Sequence, residues 1–161
     1  MNPFFESWFQ GFDRGLEQLS TQECARLFSE CAAQCGKDAL KCLYQDLFNG
    51  CEGNMDEFFS SLGELNGVDG RVIENGSVYE IIFKSCGCDL HTKAKVNSSR
   101  LCECSRQSIL WILRTLVPDR AFSVERMESI LQGDQVCRFR IRDISDRLSS
   151  AKGVFRQLTL S

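Results

Sequence analysis

A single histidine, a formal charge of only −3 and no long apolar run mark what this 161-residue chain does without. A helix that crosses a bilayer needs about 18 or more consecutive apolar residues. None is present, so no membrane partner is expected. Nucleic-acid binding needs a basic face, and charges of both signs are too well mixed here to make one. Walker, dinucleotide-glycine, G-x-S-x-G and H-E-x-x-H motifs are all missing, which leaves nucleotide-loop, serine-triad and zincin chemistry without support. The opening Met1-Asn-Pro-Phe-Phe-Glu carries no basic n-region and no apolar run follows it, so a signal peptide is not expected and the cytoplasm is. In that compartment cysteines are reduced thiols or metal thiolates rather than disulfides. The chain has ten of them.

Hydrophobic residues make up 43% and charged residues 25%, ordinary values for one globular domain. Phe5, Trp8, Phe9, Phe12, Leu16 and Leu19 recur at three- and four-residue steps and predict a helix over residues 3–20. Ser20 or Thr21 caps a second, over 21–48, with Glu23 in its first turn and Gly36 as a break. Cys24, Cys31, Cys35 and Cys42 line one face of it beside Leu27, Phe28 and Ala39, with Asp38 near. Such a stripe reads as small core residues, or as a ligand-lining or metal-binding face, with Cys35 as the ligand candidate. Asn54 caps a third helix, 54–65, and Ser105–Val117 is a fourth, stopped by Pro118.

Two β-hairpins are predicted. Asn75-Gly76 between Arg71–Glu74 and Ser77–Phe83 is a strong two-residue turn signal. It would set Arg71 opposite Glu80, Val72 opposite Tyr79 and Ile73 opposite Val78. The second hairpin pairs Ala121–Leu131 with Gln135–Arg142 across Gly133-Asp134. Cys137, Phe139 and Ile141 share one face of its last strand; Arg138, Arg140 and Arg142 share the other, as a solvated face or an anion ladder. The expected register sets Arg142 opposite Glu125 and Glu128 opposite Phe139, which makes Glu128 a candidate ligand-binding carboxylate.

Chemistry is expected around Cys86-Gly-Cys88 and Cys102-Glu-Cys104, two C-x-C pairs thirteen residues apart. Four thiolates can wrap a tetrahedral Zn²⁺, with His91 as a substitute ligand. The alternative is nucleophilic or redox chemistry: Cys102 and Cys104 precede a helix amino terminus, which favours the thiolate, with Cys104 the better placed. The third alternative is four small residues in a tight junction.

The order Cys86-Gly-Cys88, Leu101-Cys-Glu-Cys-Ser105, Val124-Glu125, Ser129-Ile130, Gly133-Asp134, Cys137-Arg-Phe-Arg-Ile141 resembles a cysteine-rich bacterial family close to L-2-amino-thiazoline-4-carboxylic acid hydrolases. More distantly it resembles the 4-vinyl reductase domain. The likeness covers residues 70–142, with Cys31 and Cys35 adding to it. It implies a small-molecule-binding, metal-binding or hydrolytic module.

The expected architecture is α+β: amino-terminal helices (1–66), then hairpin, helix and hairpin (70–142) forming a four-stranded antiparallel sheet covered by helices on one face, and a short tail (143–161). The first, second and Ser105–Val117 helices are expected to do the covering. The expected function is small-molecule binding or sensing in a pocket near Cys86, Cys88, Cys102, Cys104 and Cys137. The alternative is hydrolysis of a thiazoline- or amide-like substrate by a cysteine thiolate or metal-bound water. A homodimer is compatible with either.

Overall fold

Local capping signals set the helix starts. The computed structural model describes residues 2–37 and 41–146. Asn2 accepts the Phe4 N–H with Pro3 in the first turn, opening α1 (Pro3–Gln18). Ser20 and Glu23 close a reciprocal capping box on α2 (Thr21–Cys35). Asn54 accepts the Asp56 and Glu57 N–H groups at the start of α4 (Met55–Ser61). Of the single helix expected over 21–48, the described residues give α2 and α3 (Lys41–Gly50), with Gly36 as the C-cap of α2. That glycine lies against Trp111, where an added Cβ would sit 2.3 Å from the ring. The packing there admits no side chain. Asp38 and Ala39 lie outside the described residues.

The sheet order is β1-β2-β4-β3, antiparallel throughout, from β1 (Val68–Glu74), β2 (Val78–Phe83), β3 (Phe122–Glu128) and β4 (Cys137–Asp143). A short α5 (Asp89–Thr92) and a long α6 (Cys102–Leu116) join β2 to β3. Both hairpins form, yet each carries a β-bulge that shifts part of the expected register. In the first, Arg71 faces Glu80 and Val72 faces Tyr79, but Glu74 rather than Ile73 faces Val78. Ile73 is the extra residue and stands exposed. In the second, Glu125 faces Arg140 and Glu128 faces Arg138, with a one-residue irregularity between Arg126 and Glu128. Arg142 pairs with Ser123.

Alternation then sorts the faces. Tyr79, Ile81, Phe139, Ile141, Phe122 and Val124 point into one core with Phe58, Phe59, Ile109 and Leu113. α4 and α6 cover this face, while α2 lies on α6 as a further layer and α1 on the loop before α6, a correction to the expectation that both would cover the sheet. A second cluster of Leu16, Cys24, Phe28, Val96 and Leu101 holds that outer layer. It is pinned by Asp13, which accepts the backbone N–H groups of Asn97 and Ser98, and by Ser98 donating to Glu17. On the opposite face Glu80, 2% exposed, takes Arg140 at 2.7 Å and Arg138 at 3.8 Å. Two of the three arginines are thus ion-paired inside the sheet, and Arg142 alone is exposed.

Candidate functional site

Where α4, α6 and β2 diverge, they enclose a partly open cavity of about 420 Å³, within the range of small-molecule sites. Phe58, Phe59, Leu62, Ile81, Ile109 and Ile112 make its walls mainly apolar. Cys86, Cys88, Cys102, Cys104 and Cys137 all line it, two from the loop after β2, two from the first turn of α6 and one from β4. The helix begins at Cys102, three residues before its expected start, so both cysteines of the second pair belong to its first turn.

The two thiols of that turn have opposite surroundings. Cys104 is turned toward α2, where burial and the neighbouring thiols Cys88, Cys31 and Cys35 push it up to about 12. Cys102 is turned toward the end of the β3–β4 hairpin. There the Cys137 thiol donates to it, the Ser129 hydroxyl lies at 3.2 Å and the Arg126 guanidinium adds a charge and a hydrogen bond. These donors outweigh burial and bring Cys102 down to about 6. Cys137 moves the opposite way: its bond to Cys102, and then burial, hold it in the thiol form, although the Ile130 N–H lies 3.5 Å from its sulfur. The ranking expected from helix position is therefore reversed, with Cys102 the thiolate candidate. The dipole acts equally on both; the local donors do not.

Three residues around Cys102 were missed as site candidates. Ser129 is fully buried; its N–H donates to Asp134 Oδ2 (2.8 Å) and its carbonyl accepts from Gln132 and Asp134. Gly133, at φ 96°, permits that tight turn. Arg126 sits at the bulge on the inner face and donates to the Ser99 carbonyl at 2.6 Å. A cation at the third inward position after Phe122 and Val124 was the available signal.

Other candidates fall elsewhere. Cys35, Cys31 and Cys42 are exposed, so the expected stripe lines neither core nor cavity; only Cys24 is buried. Cys31 and Cys35 share α2 with Cys24, but the face that helix buries runs through Cys24, Phe28 and Ala32, which leaves both outside it. Glu128 is held by Arg138 at 3.0 Å and lies outside the cavity wall. His91 binds the Val96 carbonyl through Nδ1 at 3.0 Å, which ties off its own loop. Glu103, between the paired cysteines, chelates Arg106 and accepts from Gln107, clamping α6. Among the described residues no three His, Cys, Asp or Glu side chains converge in a way that could hold a metal ion. The four thiols expected to bind zinc share a cavity wall, not a coordination sphere.

No family model and no curated protein matches this chain. Among solved structures it is similar to trafficking protein particle complex subunit 3 from Naegleria fowleri, covalently bound to palmitic acid. The likeness has a TM-score of 0.52 at 10% identity and covers 87% of this chain and 93% of that one. At that identity it shows the fold: an antiparallel sheet backed by helices.

Proposed function

We propose that this chain is a small-molecule-binding domain whose ligand is elongated and apolar and lies in the cavity between α4, α6 and β2. The observation that carries the reading is the cavity itself: a mainly apolar interior lined by aromatic and branched side chains, with five cysteine thiols and a few hydroxyl and amide groups in its wall. A molecule entering it gains about 0.8 kcal/mol for each buried methylene. The palmitic acid named with the structural neighbour supports an acyl chain as the type of ligand. No described helix is long and apolar enough to cross a membrane. The domain is read as cytoplasmic, in keeping with ten thiols left unpaired. A homodimer belongs to the same proposal, with exposed Phe4, Phe5 and Trp8 of α1 as its contact.

The test is titration of a polarity-sensitive apolar fluorophore, displaced by palmitate, against the native chain and Ser108→Phe. Ser108 lines the cavity on a half-buried turn of α6, so the larger ring fills space without opening the core. Saturable binding that the variant loses supports the reading; equal binding by both refutes it.

Hydrolysis of a small thiazoline- or amide-like substrate is the second reading. The donor-stabilised thiol of Cys102 at the cavity wall favours it, and the resemblance of the C-x-C segments to the thiazoline-carboxylate hydrolases points the same way. Its nucleophile is then Cys102 rather than Cys104.

A further inference from the structure

Five cysteines reach the cavity, yet ligand binding needs none of them to touch another. Cys102 and Cys137 nevertheless come to adjacent residues, the Cys102 sulfur lying 3.2 Å from the Ser129 hydroxyl and the Cys137 sulfur 3.5 Å from the Ile130 N–H; they are 7% and 8% exposed and belong to different elements. The groups around them are ordered for polarity. Ser129, its N–H held by Asp134, lies 3.2 Å from the Cys102 sulfur, and Arg126, held by the Ser99 carbonyl, adds a positive charge beside it; the Ile130 N–H donates to Cys137. One sulfur is thus prepared to attack and the other to keep its proton. Both open on an apolar space.

We infer that Cys102 and Cys137 are a redox-active dithiol that reduces apolar organic hydroperoxides entering the cavity. Cys102 thiolate attacks the terminal peroxide oxygen and the O–O bond breaks. The alkoxide leaves and takes up the proton released when Cys102 ionised, giving the alcohol. Cys102 becomes a sulfenic acid. The Cys137 thiol then attacks the Cys102 sulfur, forming the disulfide and releasing water. In sum, two thiols and one hydroperoxide give one disulfide, one alcohol and one water, with two electrons passing from sulfur to oxygen. Arg126 and Ser129 act on the same site as donors to the sulfur and then to the departing oxygen. The choice of an apolar hydroperoxide rests on the cavity reading above; the dithiol pairing rests on the two sulfurs meeting adjacent residues, Ser129 and Ile130, at the same cavity wall.

The test uses the full reduced chain, freed of reductant, with one equivalent of cumene hydroperoxide and, in parallel, of hydrogen peroxide. Two of the ten thiols should disappear, and peptide mapping should link Cys102 to Cys137. Cys137→Ser should stop at a Cys102 sulfenic acid that dimedone captures, and Ser129→Ala should slow thiol loss by about tenfold while leaving the far-ultraviolet spectrum unchanged. If Cys137→Ser does not fold, the native peptide map decides alone. Oxidation first at exposed Cys31, Cys35 or Cys42, or unchanged thiol loss in Cys102→Ser, overturns the inference. Cumene hydroperoxide should react faster than hydrogen peroxide, and palmitate should slow it; equal rates and no protection overturn the role of the cavity. Palmitate binding with no Cys102–Cys137 disulfide overturns the dithiol alone and leaves the binding reading intact.

Discussion

Removing the carboxylate of Glu80 should destabilise the protein by about 2 kcal/mol, because Arg140 would lose its 2.7 Å carboxylate partner, while Arg138 keeps Glu128 at 3.0 Å. Glu80 sits on β2, 2% exposed, with Arg140 Nη2 at 2.7 Å, Arg140 Nε at 3.2 Å and Arg138 at 3.8 Å. Breaking a fully buried pair costs about 3–5 kcal/mol, and an exposed pair less than about 1. The arginine side chains are 29% and 30% exposed, so water recovers part of the loss and the estimate falls between those limits. For a domain of this length that corresponds to a fall in Tm of about 4–8 °C for Glu80→Gln. Urea unfolding gives the free energy directly, and the midpoint should drop with the slope unchanged. A double-mutant cycle with Arg140→Met isolates the pair. The double variant Glu80→Met with Arg140→Met should recover much of the loss, since apolar side chains of similar size carry no desolvation cost. A loss below about 0.5 kcal/mol in Glu80→Gln would refute the reasoning and class the cluster with ordinary surface pairs. The site has a stake in the outcome, because the neighbouring Ile81 of the same strand is cavity wall.

Asp56 is held below the usual carboxylate range, first by the Gly76 N–H and then by the Tyr79 hydroxyl, and Asp143 by Ser145 and Arg120, against the opposing pull of burial. A depressed carboxylate contributes stability that is present above its unfolded pKa and lost as pH falls through the folded one, so Tm should decline below about pH 4 and Asp56→Asn should flatten that decline. Gly70→Ala should cost about 3 kcal/mol, because its Cβ would lie 2.0 Å from the Phe59 carbonyl oxygen where α4 presses on β1; thermal unfolding checks it. Cys104, half-buried and pushed up to about 12, should stay unmodified by iodoacetamide at neutral pH under conditions that alkylate exposed Cys31, Cys35 and Cys42, as peptide mass mapping would show.

Local signals carried most of the architecture. Asn-Gly, the alternation of Cys137, Phe139 and Ile141, and the Ser20 cap act within a few residues, and the first hairpin, β4 and the start of α2 stand where they were expected. What failed were inferences about which face or register tertiary packing selects. The cysteine stripe assumed that α2 buries Cys31 and Cys35, whereas it buries Cys24, Phe28 and Ala32, and the place of Glu128 assumed an unbroken ladder. Trp111 against Gly36 and the bulge at Arg126–Glu128 are tertiary facts that no periodicity encodes. The thiol-lined cavity was legible as a meeting of Cys86, Cys88, Cys102, Cys104 and Cys137. The relative acidity of its thiols was not, because it depends on which way each side chain of a helical turn points. Ser129 and Asp134 were visible only as parts of a pattern, without the role their geometry gives them.

Methyl-labelled isoleucines place a ligand most directly. Ile81, Ile109 and Ile112 line the cavity; Ile73 stands on the exposed bulge, and Ile141 is buried behind the wall. On titration with palmitate the account predicts saturable shifts in the methyl resonances of Ile81, Ile109 and Ile112, with Ile73 and Ile141 unmoved. Shifts centred on Ile73, or three silent cavity methyls at saturating palmitate, would contradict it.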